Sequence, residues 1–288
     1  MDERLFRRLA ERLADAPVVL ASVIGTRGAT PRKHGSRMLI GAQWSEYSVG
    51  GGMAESRVIA AARDLFNAAA ETHEVQVDLG GGPASAGVCG GQMRIALRRW
   101  SGAVDRQRAE DIARRLSSGE PATLPAAWIG ADSDETALPD PRLLIVGGGH
   151  CAAALCDLAA FLAFDLWVHD TRGDCLQSPS FACATRLSGG FDALLEACKT
   201  RRELLVVLLN RDFASDVASL RVLDGQAMSF IGMMGSRKRI HEVRAALPGH
   251  EALFARLQAP VGLEIGAHTP HEIAVSLLAQ LVQSRSVR

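Results

Sequence analysis

The chain lacks net charge: thirty-two basic residues among 288 are matched by thirty-two acidic ones. That excludes a global pull towards nucleic acid or anionic membranes and leaves only local clusters to consider. It also lacks cysteine pairs. Cys89, Cys151, Cys156, Cys175, Cys183 and Cys198 contain no C-x-x-C, and five of them fall in the second half. A secreted disulfide framework is shorter and denser in cysteine, so reduced thiols and a cytoplasmic location are expected. No His or Cys spacing fits a structural zinc site. No apolar run approaches a membrane span. MDERLFRRLAERLADAP carries charge throughout and lacks the apolar core of a secretory leader. Internal repeats are absent too. What remains is an ordinary globular balance, 48% hydrophobic and 22% charged, which argues against disorder.

Periodicity divides the chain. Leu5, Leu9 and Leu13 recur at helical spacing. VVLASVIG, MLIG, HEVQVDL and QMRIALRR read as strands, with SVGGGMAESRVIAAARDLF as a glycine turn opening a helix and GGGPASAGVCGG as a long loop. This predicts a mixed α/β N-terminal domain over 1–100. Residues 101–141 hold one helix, at 105–116, and then ATLPAAWIGADSDETALPDP. That stretch is rich in Pro, Asp and Ala without periodicity, so it reads as a linker or exposed excursion. From 142 to 288 strand and helix alternate with short links, which predicts a doubly wound parallel sheet, a Rossmann-like domain. Thr269, Pro270 and Glu272 signal the start of the last helix through a capping box.

Several motifs carry chemistry. In LLIVGGGHCAAA, Gly147, Gly149 and Ala152 match G-x-G-x-x-G/A. The first glycine permits the tight turn, the second lets backbone approach a phosphate, and the alanine allows close helix–strand packing. Asp170 ends the next strand at the spacing of a ribose-binding acid. His150 lies in the turn and suits either a phosphate or neutral packing. In IGMMGSRKR, Gly235 makes a turn, Ser236 is a candidate N-cap, and Arg237 and Lys238 fall in the first helical turn. Cations are disfavoured at the positive end of a helix unless an anion binds there. Arg27, Arg32, Lys33 and Arg37 crowd a loop rich in glycine and threonine, which suits an oxyanion or, equally, a plain solvated hairpin loop. Gly50, Gly51 and Gly52 precede Glu55, as an anion nest with an acid or base, or as a packing turn with an inert carboxylate. Cys89, in VCGG, is the accessible thiol, a candidate metal ligand or nucleophile. Cys151, Cys156 and Cys198 read as core thiols.

GTRGATPRKHGSRMLI, SVGGGMAES, VCGG, VGGGH, HDTR, FIGMMGSRKR and APVGLEIGAHTPHEIAVSLLA together resemble, in order and over nearly the whole chain, the XdhC/CoxI family of xanthine dehydrogenase accessory proteins. The resemblance implies an N-terminal XdhC/CoxI domain followed by a Rossmann domain. It implies binding of the molybdenum cofactor, as molybdopterin or a dinucleotide form. It further implies protection of that cofactor, support for replacing an oxo ligand by a sulfido ligand, and delivery to a xanthine dehydrogenase-type apoenzyme. A cysteine desulfurase is the implied sulfur source, and a homodimer is expected. The family often carries two adjacent cysteines in a QCCGG-like stretch; here Val88 precedes Cys89, which leaves one thiolate. Glu55 matches the acidic position of the family's GGxxE stretch. On this reading Cys89 and Glu55 carry the chemistry, with Cys89 facing metal. Arg27, Arg32, Arg37, Gly51, Gly52, Gly147, Gly149, His150, Asp170, Gly235, Ser236, Arg237 and Lys238 hold the cofactor. The alternatives are an NAD(P)-dependent oxidoreductase, with Asp170 favouring NAD, and a nucleotide-sensing module.

Overall fold

The computed structural model describes residues 2–81, 85–87 and 89–286, without the side chain of Ser286. Gly82, Pro83, Ala84 and Val88 of the glycine loop therefore lie outside the described residues. The chain divides into two compact units between Pro139 and Asp140.

The first unit opens with α1 (Asp2–Arg12), β1 (Val18–Arg27), β2 (Arg37–Ile40), β3 (Ser45–Tyr47), α2 (Gly52–Asn67), β4 (Thr72–Asp78) and β5 (Gln92–Trp100). The strands form an antiparallel sheet in the order β3-β2-β1-β5-β4. Successive side chains of a strand point to opposite faces, and the apolar residues sort accordingly. Val19, Ala21, Val23, Met93, Ile95 and Leu97 join a core with Val58 and Ala62 of α2. Val18, Leu20 and Trp100 join a second core with Leu5, Phe6 and Leu9 of α1.

Residues 101–139 belong to this unit, where the sequence suggests a helix and linker. α3 (Gly102–Ser117), β6 (Ala122–Leu124), α4 (Ala126–Ile129) and β7 (Glu135–Ala137) follow. Ala109, Ile112, Leu116, Leu124, Ile129 and Ala137 are buried in the second core. The elements after α3 are three or four residues long, too short to print a period, and this is why the stretch reads as linker.

The second unit runs β8 (Arg142–Val146), α5 (His150–Ala159), β9 (Asp165–Asp170), β10 (Thr185–Ser188), α6 (Phe191–Cys198), β11 (Leu204–Leu208), α7 (Phe213–Leu223), β12 (Phe230–Met233), α8 (Arg237–Ala245), α9 (Glu251–Arg256), β13 (Leu257–Gln258) and α10 (Pro270–Ser286). Its six strands are parallel and ordered β10-β9-β8-β11-β12-β13. Counted within this unit that is 3-2-1-4-5-6, the Rossmann order, with its switch point between β8 and β11. Leu143 and Ile145 pack on one face with α5 and α10; Leu144 and Val146 pack on the other with α6 and α7. Burial on both faces explains the unbroken apolar run before the glycines. Thr269 and Glu272 form the expected box at the start of α10, with Thr269 N–H donating to Glu272 Oε2 at 2.8 Å and Glu272 N–H to Thr269 Oγ1 at 3.3 Å. No helix among the described residues is long and apolar enough to cross a membrane.

Candidate functional site

The glycine turn after β8 is built as the spacing implies. Gly147 has φ +108°, and a Cβ there would stand 2.8 Å from the Leu209 carbonyl oxygen, so only glycine fits. Gly149 is the N-cap of α5 with no side-chain cap, which leaves the first N–H groups of the helix available to an anion. Ala152 is fully buried against the sheet.

Asp170 departs from expectation. It is 5% exposed, and each carboxylate oxygen already accepts two donors. Gly148 N–H and Arg172 Nη2 reach Oδ2 at 2.8 and 3.1 Å; Arg172 N–H and Nε reach Oδ1 at 2.9 and 3.1 Å. A carboxylate offers about four acceptor positions, so none is left for a ribose hydroxyl. Burial alone would push this carboxyl up, but Arg172 and the two N–H groups outweigh it and hold it below the usual range. In this structure Asp170 pins the turn.

Arg211, which sequence reasoning missed, supplies the cation. A Cβ on Gly149 would lie 3.2 Å from its Nε, so the guanidinium lies over the start of α5. Its Nη2 stands 2.9 Å from His150 Nδ1. A guanidinium only donates, so Nδ1 is the acceptor in this contact. Both side chains are exposed. No acid pairs with Arg211 among the described residues, and a cation at a positive helix end is stabilised when an anion joins it. The available signal is position: Arg211 follows the central strand next to the switch point, where α/β ligands bind.

Arg239, also missed, holds that loop in place. Its guanidinium donates to the carbonyls of Asn210, Arg211 and Asp212 and to Asp216 Oδ2, the last at 2.7 Å from Nε. Asp216 is fully buried, and burial raises its pKa against the pull of Arg239. Ser236 caps α8 as expected, accepting from Arg239 N–H at 3.2 Å. Gly235, Ser236 and Arg237 line a cavity of about 780 Å³, whose other wall is the 260–267 loop. Lys238 lies outside that lining, exposed, 3.9 Å from Glu242.

In the first unit three motif loops converge. A Cβ on Gly28 would stand 3.0 Å from the Gly90 carbonyl oxygen, and one on Gly91 would stand 2.2 Å from that of Ala29. A Cβ on Gly50 would lie 3.1 Å from Pro31 Cγ. The Arg27 turn, the Cys89 loop and the glycine turn before α2 therefore share one end of the sheet. Arg27 lines a second cavity, of about 360 Å³, with Gln92 and Arg94. Arg32 is exposed. Arg37 is not part of this cationic loop. It opens β2, is 3% exposed, and pairs with Asp2 and Glu135. β2 begins one residue before the apolar run MLI, which buries Arg37 as a structural charge.

The nest at Gly50 and Gly51 is filled from within. Glu55 accepts from Ser48 Oγ at 2.6 Å, Val49 N–H at 3.1 Å and Gly50 N–H at 3.3 Å, and Gly51 N–H contributes as well. Burial would raise its pKa, but these four donors lower it. In this structure Glu55 is thus an ionised carboxylate that clamps the loop. Its folded pKa lies below the unfolded value of about 4.3, so its contribution is present above that pH and is lost as pH falls through the folded pKa. Glu55→Gln is expected to cost about 1.5 kcal/mol at pH 7 and much less at pH 3. Urea unfolding at both pH values measures this.

All six cysteines are free. Cys89 is exposed. Burial pushes the Cys156 thiol up to about 12 and that of Cys198 up to about 11, which makes them inert core groups as expected. Cys151 is only half-buried, with Arg211 opposing the upward effect of burial.

Comparison with known proteins fits this division. The XdhC and CoxI family model matches residues 12–78, and the XdhC Rossmann domain model matches 143–281. YqeB of Escherichia coli (strain K12), an uncharacterized protein, is 29% identical over 94% of this chain and 44% of its own length. A protein of Bacillus subtilis (strain 168), named as one of the probable xanthine dehydrogenase subunits, is 31% identical over 51% of this chain and 44% of its own. The chain thus spans less than half the length of these relatives. A solved structure described as a xanthine dehydrogenase from Bacillus halodurans superposes with a TM-score of 0.82 at 23% identity, covering 100% of this chain and 96% of that one. It shares the fold.

Proposed function

Because the chain belongs to the XdhC and CoxI family, on the two models that match it, we propose that it is a cytoplasmic accessory protein of a xanthine dehydrogenase-type enzyme. Its cargo on this reading is the molybdenum cofactor, which it binds, shelters during sulfuration and passes to the apoenzyme. A cysteine desulfurase supplies the sulfur, and the carrier works as a homodimer. One observation supports the reading: the second unit has an arrangement suited to an anion. The uncapped start of α5 stands beside Arg211 and His150, while Asp170 is already spent. Molybdopterin ends in a phosphate, and its dinucleotide forms carry a pyrophosphate, so either suits that grip.

The first unit contributes differently. No group of three or more His, Cys, Asp or Glu suited to a metal ion occurs among the described residues. In the first unit, taken by itself, the Cys89 thiolate is the candidate soft ligand for a metal, on an exposed loop. Arg27 and Arg32 offer nearby positive charge for oxyanion groups. Glu55 and the glycines it clamps position this loop cluster and do not react.

Anaerobic binding of isolated molybdenum cofactor, with pterin and molybdenum counted per chain, tests the proposal. Near-stoichiometric binding is expected for the wild type, and Cys89→Ala is expected to retain pterin with less molybdenum. Retention of NAD with no uptake of the cofactor would instead support the dehydrogenase or nucleotide-sensor reading and overturn this one.

A further inference from the structure

β4 (Thr72–Asp78) is an edge strand of the sheet in the first unit and pairs on one side only, with β5. The register fixes which of its backbone groups face out. Arg99 N–H donates to the Glu71 carbonyl and Leu79 N–H to that of Gly91, both at 2.8 Å. Hydrogen-bonded pairs alternate along an antiparallel ladder. Glu71, His73, Val75, Val77 and Leu79 therefore turn their N–H and C=O groups towards β5, and Thr72, Glu74, Gln76 and Asp78 turn theirs outward. Ala86 N–H takes the outward Asp78 carbonyl at 2.8 Å. The outward groups of Thr72, Glu74 and Gln76 have no backbone partner among the described residues.

The strand lacks the usual guards of an open edge. THEVQVD holds no proline, lysine or glycine, and its register runs unbroken. Its carboxylates are already neutralised or engaged. Arg94 donates to Glu74 from Nε at 2.9 Å and Nη2 at 2.8 Å, and Gly80 N–H donates to Asp78 Oδ1 at 3.0 Å. The opposite face of the strand is apolar and incompletely covered. Val77 is buried, but Val75 is only half-buried against the core, as are Ile59 and Phe66 of α2.

We infer that β4 is the docking edge for a second copy of this chain, antiparallel and centred on Val75, which joins two five-stranded sheets across a twofold axis. The strand is self-complementary in that register. Glu74 faces the partner's Gln76, and these outward residues exchange both backbone hydrogen bonds. Thr72 faces the partner's Asp78, a hydroxyl opposite a carboxylate. The two Val75 side chains meet as a non-hydrogen-bonded pair, the closer of the two kinds, and extend the core across the edge. Moving the axis by one residue, to Glu74, sets carboxylate against carboxylate, which is destabilising. The pairing names the interface of the homodimer in the carrier reading and rests on that reading for its occupant.

Sedimentation equilibrium of the full chain tests it. The wild type is expected as a dimer. Gln76→Pro removes an outward N–H that the monomer does not use, at a position where an edge strand tolerates proline. It should weaken association tenfold or more and leave the circular dichroism spectrum unchanged. Cross-linking with copper phenanthroline as oxidant reads the register, in chains where Cys89→Ser and Cys183→Ser remove the exposed thiols. Val75→Cys should join two copies by a disulfide. Thr72→Cys should not, because the twofold axis holds the two Thr72 residues at opposite ends of the ladder. A monomeric wild type, a dimer that Gln76→Pro leaves unchanged, or cross-linking of Thr72→Cys as fast as Val75→Cys overturns the pairing. Uptake of molybdenum cofactor separates it from the carrier reading. A monomeric wild type that takes up the cofactor overturns the pairing and leaves the cargo standing. A dimer paired through β4 that takes up none overturns the cargo and leaves the pairing.

Discussion

Arg239→Met lowers the unfolding free energy by about 3 kcal/mol or more, because it strands a fully buried carboxylate. Asp216 is 0% exposed and takes Arg239 and Asn210 as partners. Removing one partner of such a pair leaves the other charge desolvated and uncompensated, whereas removing both does not. The double variant Asp216→Leu with Arg239→Met should therefore recover part of the loss. Both variants free the 210–212 carbonyls that Arg239 gathers, so the loop bearing Arg211 loses its anchor in each. Urea unfolding of the full chain compares them. A loss within about 0.5 kcal/mol, as for an ordinary surface change, would show that Arg239 is not the anchor of this loop.

Gly149→Val is expected to lower the affinity for inorganic pyrophosphate by about a hundredfold, which corresponds to about 2.7 kcal/mol. The valine Cβ would sit 3.2 Å from Arg211 Nε, so the guanidinium must give by a few tenths of an ångström, and a β-branched side chain then stands at the uncapped start of α5. Arg211→Ala removes the cation and keeps the turn; it should cost about tenfold to a hundredfold, the range of one or two charge-assisted hydrogen bonds. The remaining binding should also depend less on salt. Arg211 is exposed and carries no ion pair among the described residues, so its loss should leave unfolding unchanged to within about 0.5 kcal/mol. Titration calorimetry at two salt concentrations reads both effects. Pyrophosphate affinity untouched by Arg211→Ala would remove the β8–β11 crevice as the grip.

Much of the architecture is legible from residue order. The run LLIV before three glycines, the alternation in QMRIALRR and the Thr269–Glu272 cap each imprint a local rule, and each is found as a strand, a strand and a capping box. The stretch 121–139 is not legible because β6, α4 and β7 are three or four residues long and their burial depends on α1 and α3. Arg37 misleads for a related reason. Its neighbours in the chain are loop residues, but its partners Asp2 and Glu135 lie 35 and 98 residues away.

The candidate site divides along the same line. Composition and spacing determine which groups are present: a glycine turn that admits a phosphate, a cation after a capping serine, an acid at the end of the second strand, one thiol on a loop. They cannot determine whether a group's hydrogen-bonding capacity is still open. Asp170 and Glu55 look alike in sequence as free acids beside glycines, and the fold has filled both with backbone N–H groups. Arg211 carries no motif, yet the fold leaves it at an open helix end without a partner of opposite charge among the described residues. The physical reason is that backbone conformation is set within a few residues, whereas saturation of a carboxylate or a guanidinium depends on donors and acceptors brought together only when distant segments pack.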